Sequence, residues 1–228
     1  MPAPSPKQPN KPFVLGITGS IASGKSIVGK ILASLGITVI DTDILVHELL
    51  SDDTTTKKAI VEQFGTAVLD MGKTVTTPQS GDGSAPWQNH PIDRKKLGQI
   101  VFAAEDDRRK LEKIVHPNTI LALRRRLDGL RGETLVAVLV PLLFESKLQG
   151  EYDEIWTIYT DEKTLRQRLR ERDNLSDSEI DSRLKAQMPQ EEKIKLANQV
   201  IDNSFTAAET ERQVKLLVEK ILPKQNHA

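Results

Sequence analysis

A glycine-rich stretch near the N-terminus carries a lysine and a serine in a spacing suited to phosphate binding. Gly19-Ser20-Ile21-Ala22-Ser23-Gly24-Lys25-Ser26 follows the pattern G-x-x-x-x-G-K-[ST]. It lies between the apolar run 13–18 and a helix-like pattern that begins at Lys25, which is the context that a P-loop requires. Glycines let the backbone curl so that its N–H groups face phosphate oxygens, and the helix N-terminus adds partial positive charge. The sequence therefore predicts a nucleoside triphosphate site.

Individual residues of this loop have expected roles. Lys25 reaches the β- and γ-phosphates, and the hydroxyl of Ser26 ligates Mg²⁺. The backbone N–H groups expected to bind phosphate are those of Ala22, Ser23, Gly24, Lys25, Ser26 and Ile27. The alternative is a glycine-rich turn with a solvated lysine, which the strand–helix context disfavours.

Two aspartates follow the second apolar run, which covers residues 37–40. Ligands of doubly wound sheets gather at the carboxyl ends of the strands. A carboxylate there can accept a proton from an attacking hydroxyl or help to hold a metal. We take Asp41 as the base and rank Asp43 second. The alternative is that both aspartates cap the helix that follows.

A strongly charged helix is predicted from Thr164 to Arg172. Arg168 and Arg172 are four residues apart and share a helix face, so both could close over ATP phosphates. The alternative is a solvated helix in which Glu171 and Asp173 balance the charge.

Three further residues are weaker candidates. His116 precedes Pro117, and this pair predicts the end of one helix and the start of another. A structural role and a functional role are both open for the histidine. Arg94 and Arg108 could bind an anionic acceptor, and as isolated arginines they also fit an ordinary surface.

The composition is that of a globular protein with one sizeable core. The chain has 228 residues, of which 38% are hydrophobic and 28% are charged, and this length is enough for a single α/β domain. Its 32 basic and 32 acidic residues cancel, so overall charge gives no support to a nucleic-acid or membrane partner. The absence of cysteine excludes disulfides and thiolate metal sites and fits a cytoplasmic location.

Short apolar runs alternate with helical patterns, as in a parallel α/β sheet. The predicted strands are 13–18, 37–40, 135–140, 155–159 and 200–201, and helices are predicted at 25–35 and after the capping boxes Ser176–Glu179 and Thr206–Glu209. The proline-rich residues 1–12 are expected to be a disordered lead-in. Residues 74–91 are expected to form an exposed loop. Trp87 could pin it to the surface or could have no structural role.

Other P-loop proteins fit less well. The N-K-x-D and D-x-x-G motifs of GTPases are not found in suitable positions. A motor or transporter ATPase places an acid directly after its third strand, whereas here Val140 leads into Pro141 and the first acid is Glu145. A compact kinase for a small molecule is the better interpretation.

The order and spacing of these residues resemble the dephospho-coenzyme A kinase family along nearly the whole chain, from Phe13 to the last helix. The matching residues after the P-loop are Val39-Ile40-Asp41-Thr42-Asp43, Phe64-Gly65, Ile92-Asp93-Arg94, His116-Pro117, Pro141-Leu142-Leu143-Phe144-Glu145, Arg168, Arg172-Asp173, Gln187, Ala197, Ile201 and Asn203.

The resemblance implies an α/β fold of the P-loop, nucleoside-monophosphate-kinase-like type, with three layers and a five-stranded parallel sheet. The implied domain of residues 13–222 has a core (13–43, 134–160 and 197–222), an acceptor-binding region (44–133, with a loop insertion at 74–91) and a lid (161–196), followed by a tail, 223–228.

The implied reaction transfers the γ-phosphoryl group of ATP to the ribose 3′-hydroxyl of dephospho-CoA, giving CoA and ADP with Mg²⁺ as cofactor. By resemblance, Lys25, Asp41 and Arg168 are catalytic, Arg172 and Asn203 join the P-loop residues at ATP, and Asp43, Arg94 and His116 bind the acceptor. A cytoplasmic monomer or weak homo-oligomer without nucleic-acid or membrane partners is expected. A kinase for another small acceptor and a catalytically silent ATP-binding regulator remain as alternatives.

The chain departs from the family pattern at several positions. Ser20 and Ala22 stand where glycines are usual, and the loop should survive unless one of these positions needs a positive φ. The other departures are Ile27 for a hydroxyl residue, His47 for an arginine, Asn198 for an aspartate and the long segment 74–91. Activity is expected to persist, because Lys25, Ser26 and Asp41 are unchanged.

Overall fold

A five-stranded parallel β-sheet organises the part of the chain that carries the P-loop. The computed structural model describes residues 11–73 and 86–225. The strands are β1 (Phe13–Gly19), β2 (Thr38–Asp41), β3 (Leu135–Leu139), β4 (Glu154–Tyr159) and β5 (Gln199–Asp202). Their order is β2-β3-β1-β4-β5, and every neighbouring pair is parallel. The predicted sheet is confirmed, with strand ends that shift by at most one residue.

Ten α-helices lie within the described residues. They are α1 (Lys25–Ser34), α2 (Thr42–Asp52), α3 (Thr54–Phe64), α4 (Pro86–Asn89), α5 (Arg94–Ala103), α6 (Glu105–Asp128), α7 (Glu162–Asp173), α8 (Asp177–Lys185), α9 (Gln190–Leu196) and α10 (Ala207–Gln225). The capping box predicted from Ser176 and Glu179 is present at the start of α8. None of these helices is long and apolar enough to cross a membrane.

The described residues form two compact units. The first contains those up to residue 41 and from 127 onward, and the second contains residues 42–126. The finer division into core, acceptor-binding region and lid stays a prediction.

One hydrophobic cluster of the first unit lies on one face of the sheet. Leu15 of β1 and Trp156 of β4 are fully buried together with Leu32 of α1 and Val214 of α10. Large apolar side chains each gain about 1.5–3 kcal/mol from full burial, so this cluster holds α1, and with it the C-terminal end of the P-loop, against the sheet.

The core of the second unit includes a side chain from the segment predicted as a loop. Trp87 of α4 packs against a cluster that contains Ile60, Val68 and Leu97, so of the two roles open for Trp87, the packed one is observed at residue 87 itself. Pro91 also accepts a 2.9 Å hydrogen bond from Asp70 N. The loop prediction is therefore wrong for residues 86–89, which are helical, and residues 74–85 lie outside the described part of the chain.

The predicted helix break at His116-Pro117 is wrong, because α6 continues through Pro117. Proline removes one backbone donor from the helix. Nearby side chains bond the carbonyls of this turn: Asn118 Nδ2 donates to Ile114 O at 3.0 Å and Thr119 Oγ1 donates to Val115 O at 2.8 Å. Val115 and Leu123 are buried on the helix, and this packing offsets the cost of the proline.

Candidate functional site

The P-loop joins the carboxyl end of β1 to the start of α1. Gly24 caps α1 with φ 101°, and no side chain takes part in the cap. A Cβ on Gly24 would collide with Asn203 Nδ2, and one on Gly19 would lie 2.8 Å from Ile158 O. Both positions therefore require glycine. The uncapped first turn of α1 keeps its amide dipoles directed at the loop, as an anion site requires.

Of the two positions where the chain lacks the usual glycine, Ala22 has a φ of 60° and Ser20 has no positive φ. The sequence predicted that the loop would survive unless one of these two positions needed a positive φ, and Ala22 is such a position. The left-handed conformation costs a residue with a Cβ about 1–2 kcal/mol. The loop closes in spite of this cost, since its carbonyls are held by side chains from distant parts of the chain.

The carbonyl of Ser23 is the most strongly held group of the loop. It accepts hydrogen bonds from Thr160 Oγ1 at 3.0 Å and from Asn203 Nδ2 at 2.7 Å. Thr160 and Asn203 are buried, and Thr210 Oγ1 donates in turn to Asn203 Oδ1 at 2.8 Å. In a trans peptide the C=O and the next N–H point in opposite directions. Fixing the Ser23 carbonyl therefore also fixes the direction of the Gly24 N–H.

Lys25 lies at the C-terminal end of the loop, as the first residue of α1. Its Nζ donates to Gly19 O at 2.8 Å and to Ser20 O at 3.2 Å. These bonds curl the side chain back along the loop that it follows. The ammonium is thus held beside the phosphate cradle that the sequence predicts.

The two candidate arginines of α7 have different surroundings. Arg168 donates to Asn203 O at 2.9 Å and lies 3.4 Å from Ala22 O, so it is placed at the P-loop. Arg172 instead makes two 2.8 Å hydrogen bonds to the Asp173 carboxylate. These bonds hold the pKa of the Asp173 carboxyl below its usual range.

Three residues that the sequence predicts at ATP use their predicted ATP-binding groups in hydrogen bonds within the protein. The N–H of Ser23 donates to Ser20 O at 3.1 Å. The side-chain amide of Asn203 is engaged by Ser23 and Thr210, so it supports the loop. The N–H of Ile27 donates to Gly24 O at 2.9 Å, which closes the first turn of α1.

Asp41 is the last residue of β2 and pairs in register with Leu139 of β3. Gly19 is the last residue of β1, and β3 lies between β1 and β2. Because all three strands are parallel, Asp41 and the P-loop lie at the same edge of the sheet. This placement suits a carboxylate that acts on a group near the γ-phosphate.

The second unit carries a cleft of about 370 Å³ with basic side chains. Arg94 is the first residue of α5, and its Nη1 lies 3.2 Å from His47 Nδ1. Arginine can only donate, so His47 Nδ1 is the acceptor in this contact. The cleft is lined by His47, Leu50, Ser51, Asp70, Lys73, Pro91, Ile92, Asp93, Arg94 and Lys95.

The other two acceptor candidates lie apart from this lining. His116 is half-buried in α6 and does not line the cleft. Asp43 is exposed in the first turn of α2, where a carboxylate is favoured by the helix dipole. Its position therefore also suits the capping alternative.

Several residues at the P-loop were missed as site residues in the sequence. Thr160 bonds Ser23 O, and Gln190 bonds both the N–H and the C=O of Thr160 at 3.1 and 2.9 Å. Gln187 Oε1 accepts a 2.9 Å hydrogen bond from Ile21 N. Thr160 directly follows a predicted strand at the ligand-binding edge, which is the one signal that could have found it.

The departure at Asn198 has a local explanation. Its Oδ1 accepts a 2.8 Å hydrogen bond from Ile155 N, and its N–H donates to Ile155 O at 2.8 Å. A carboxylate oxygen could accept the same bond, so asparagine preserves the contact between the start of β4 and the start of β5.

The sheet topology and the phosphate-binding loop together identify the fold as that of the P-loop kinases. A shikimate kinase from Acinetobacter baumannii shares this fold, with a TM-score of 0.51 at 15% identity over 94% of this chain and 96% of that one. A Thermus thermophilus crystal structure is more similar, with a TM-score of 0.72 at 29% identity over 92% and 98% of the two chains.

Comparison with known families gives the particular family. The dephospho-CoA kinase family model matches residues 13–77 and 86–209. A dephospho-CoA kinase from Geobacter metallireducens is 43% identical over 89% of this chain and 93% of its own. The structure of dephospho-CoA kinase from Campylobacter jejuni has a TM-score of 0.63 at 27% identity, over 91% and 96% of the two chains. The chain belongs to the dephospho-CoA kinase family, which confirms the resemblance.

Proposed function

We propose that this protein phosphorylates the ribose 3′-hydroxyl of dephospho-CoA with ATP and releases CoA and ADP. The observation that carries the proposal is the family match over nearly the whole chain together with a P-loop whose lysine and serine are intact. The match favours this reaction over a kinase for another acceptor and over a silent regulator.

On the ATP side, the loop amides and Lys25 hold the phosphates. The N–H groups of Ala22, Gly24, Lys25 and Ser26 form the cradle, and that of Ser23 joins them when it leaves Ser20 O. Lys25 exchanges its bonds to Gly19 O and Ser20 O for bonds to phosphate oxygens. Arg168, already at Ala22 O, offers a second cation to the transferring group. Arg172 joins only after it leaves Asp173, so Arg168 has the main role.

Asp41 acts as the base for the acceptor. It takes the proton of the 3′-hydroxyl as that oxygen attacks the γ-phosphorus. The bond from the γ-phosphorus to the β,γ-bridging oxygen breaks, and ADP leaves with both electrons of that bond. Little covalent work is asked of the protein, and positioning with charge stabilisation supplies most of the acceleration.

The acceptor binds through the second unit. The diphosphate of dephospho-CoA is anionic, and the cleft beside Arg94 and His47 offers donors to it. Asp43 and His116 are assigned to the acceptor on the resemblance, with ribose hydroxyls as the groups that an exposed carboxylate and an imidazole would bind.

Mg²⁺ fits the donors that the loop offers. The Ser26 hydroxyl is exposed in the first turn of α1, and the described residues contain no group of three or more His, Asp or Glu that could hold a metal alone. An ion bound by one hydroxyl, waters and phosphate oxygens is the usual arrangement for Mg²⁺. When bound, it neutralises charge on the phosphates.

The test is ADP release with Mg-ATP in parallel reactions that contain dephospho-CoA, adenosine, AMP or no acceptor. We expect ADP only with dephospho-CoA, with CoA as product, and loss of turnover in Lys25→Ala. Lys30→Ala, on an exposed position of the same helix, is the matched control. Turnover with adenosine or AMP instead would overturn the acceptor assignment, and ATP binding without any turnover would favour the regulator.

A further inference from the structure

A buried lysine, Lys193 of α9, is used neither by the fold core nor by the proposed chemistry. Its side chain is 1% exposed and its Nζ lies 2.8 Å from Glu145 Oε1. The contact is an ion pair, and within the described residues neither Lys193 Nζ nor Glu145 Oε2 has a hydrogen-bond partner. A lysine buried with a single counter-charge is costly, and such a group calls for a functional explanation.

Glu145 connects this lysine to a second contact on the same segment. Its Oε1 also accepts a 3.0 Å hydrogen bond from Met188 N. One carboxylate oxygen therefore fixes two points of the stretch 187–193, which we name the strap. Glu145 is also the first acidic residue after β3, and it lies too far along the chain from that strand to match the acid of a motor ATPase.

The strap contacts the P-loop at two places. Gln187 Oε1 accepts from Ile21 N at 2.9 Å, which orients the first half of the loop. Gln190 bonds both backbone groups of Thr160, and the Thr160 hydroxyl bonds Ser23 O, which orients the second half. Displacing the strap would therefore loosen both ends of the phosphate cradle.

We propose that the Lys193–Glu145 ion pair anchors the strap and thereby preforms the P-loop for ATP. Lys193 and Glu145 are positioning residues that touch no substrate. Without this ion pair the P-loop samples other conformations. ATP then binds more weakly, because only the molecules whose P-loop has the binding conformation can bind it. The proposal rests on ATP binding at the P-loop but not on the identity of the acceptor.

The test measures ATP affinity by calorimetry, the KM for each substrate and the melting temperature for Lys193→Met and Lys193→Arg. We expect Lys193→Met to raise the Kd for ATP about tenfold while the KM for dephospho-CoA stays within about twofold. Lys193→Arg keeps the positive charge and should retain most of the wild-type affinity for ATP. Lys215→Met, which breaks the exposed Lys215–Glu211 pair, is the matched control and should change neither value.

A double variant separates positioning from stability. Replacing a buried ion pair by apolar residues is often neutral or stabilising, so Lys193→Met with Glu145→Leu should regain the melting temperature. It lacks the acceptor for Met188 N, however, and the weak ATP binding should remain. Recovery of ATP affinity together with the melting temperature would overturn the proposal, as would an unchanged Kd in Lys193→Met. If wild-type protein binds ATP but does not phosphorylate dephospho-CoA, the proposed function fails while the calorimetric test still decides the role of the pair.

Discussion

Around the P-loop, buried side chains hold single backbone atoms, whereas around the cleft of the second unit the cationic side chains reach solvent. Ser23 O receives bonds from buried Thr160 and Asn203. Arg94 and Lys95 are exposed. A buried hydrogen bond is costly to break because its partner is left unsatisfied, while exposed charges move at little cost. The proposed nucleotide side is therefore preorganised, and the proposed acceptor side can adapt to its ligand.

The largest expected effect comes from Asp41→Asn, which keeps the shape of the proposed base and removes its charge. We expect kcat to fall about 10²–10⁴-fold, the usual contribution of a general base. The Kd for ATP should stay within about threefold, because the cradle is made of other residues. Rapid-quench turnover with calorimetry measures both. A near-normal kcat would show that another group takes the proton.

A tenfold effect confined to the acceptor is expected for Arg94→Met. This change removes a charged donor from the cleft and should raise the KM for dephospho-CoA about tenfold, since a charged hydrogen bond contributes about 1.5–3 kcal/mol. The KM for ATP should not change. Arg109→Met, an exposed arginine paired with Glu105, is the control. An equal rise in the KM for ATP and the KM for dephospho-CoA would show that the cleft and the P-loop do not serve separate substrates.

Thr160→Val tests the P-loop region of the comparison. It removes the hydroxyl that bonds Ser23 O and keeps the volume of a fully buried side chain. One hydrogen bond contributes about 1 kcal/mol, so steady-state kinetics should show the KM for ATP rising about fivefold with the KM for dephospho-CoA unchanged. Wild-type KM for ATP in this variant would mean that Asn203 alone fixes the carbonyl.

The smallest effect is expected where the loop is strained. Ala22→Gly relieves the cost of a φ of 60°, about 1–2 kcal/mol, but adds about 0.5–1 kcal/mol of chain entropy to the unfolded state. The net gain should be about 0.5–1 kcal/mol, seen by calorimetry as a melting temperature about 1–4 °C higher. Ala33→Gly, inside α1, should lower it. A lower melting temperature in Ala22→Gly would refute the strain argument.

Features set by neighbouring residues could be read from the sequence. The P-loop, the strands and the Ser176–Glu179 capping box each depend on residues a few positions apart, and all were found. The cost at Ala22 was foreseen as a condition, since only the backbone angle decides it.

Features that depend on distant residues could not be read in this way. Thr160 and Ser23 are 137 positions apart, and Gln187 and Ile21 are 166 apart, so no local pattern pairs them. Pro117 predicted a helix end because local rules do not include the burial of Val115 and Leu123. Arg168 and Arg172 share a helix face, but no local pattern shows that Arg168 bonds Asn203 O, 35 positions away. The bond of Arg172 to its neighbour Asp173 matches the charge-balancing alternative that the sequence left open.

The most direct test of the central claim is the position of the transferred phosphate. Purified protein is incubated with Mg-ATP and dephospho-CoA, and the products are examined by ³¹P NMR and mass spectrometry. The account predicts ADP and CoA in equal amounts, with the new phosphate on the ribose 3′-oxygen. ADP formed without CoA, or a phosphate on any other group of the acceptor, would contradict it.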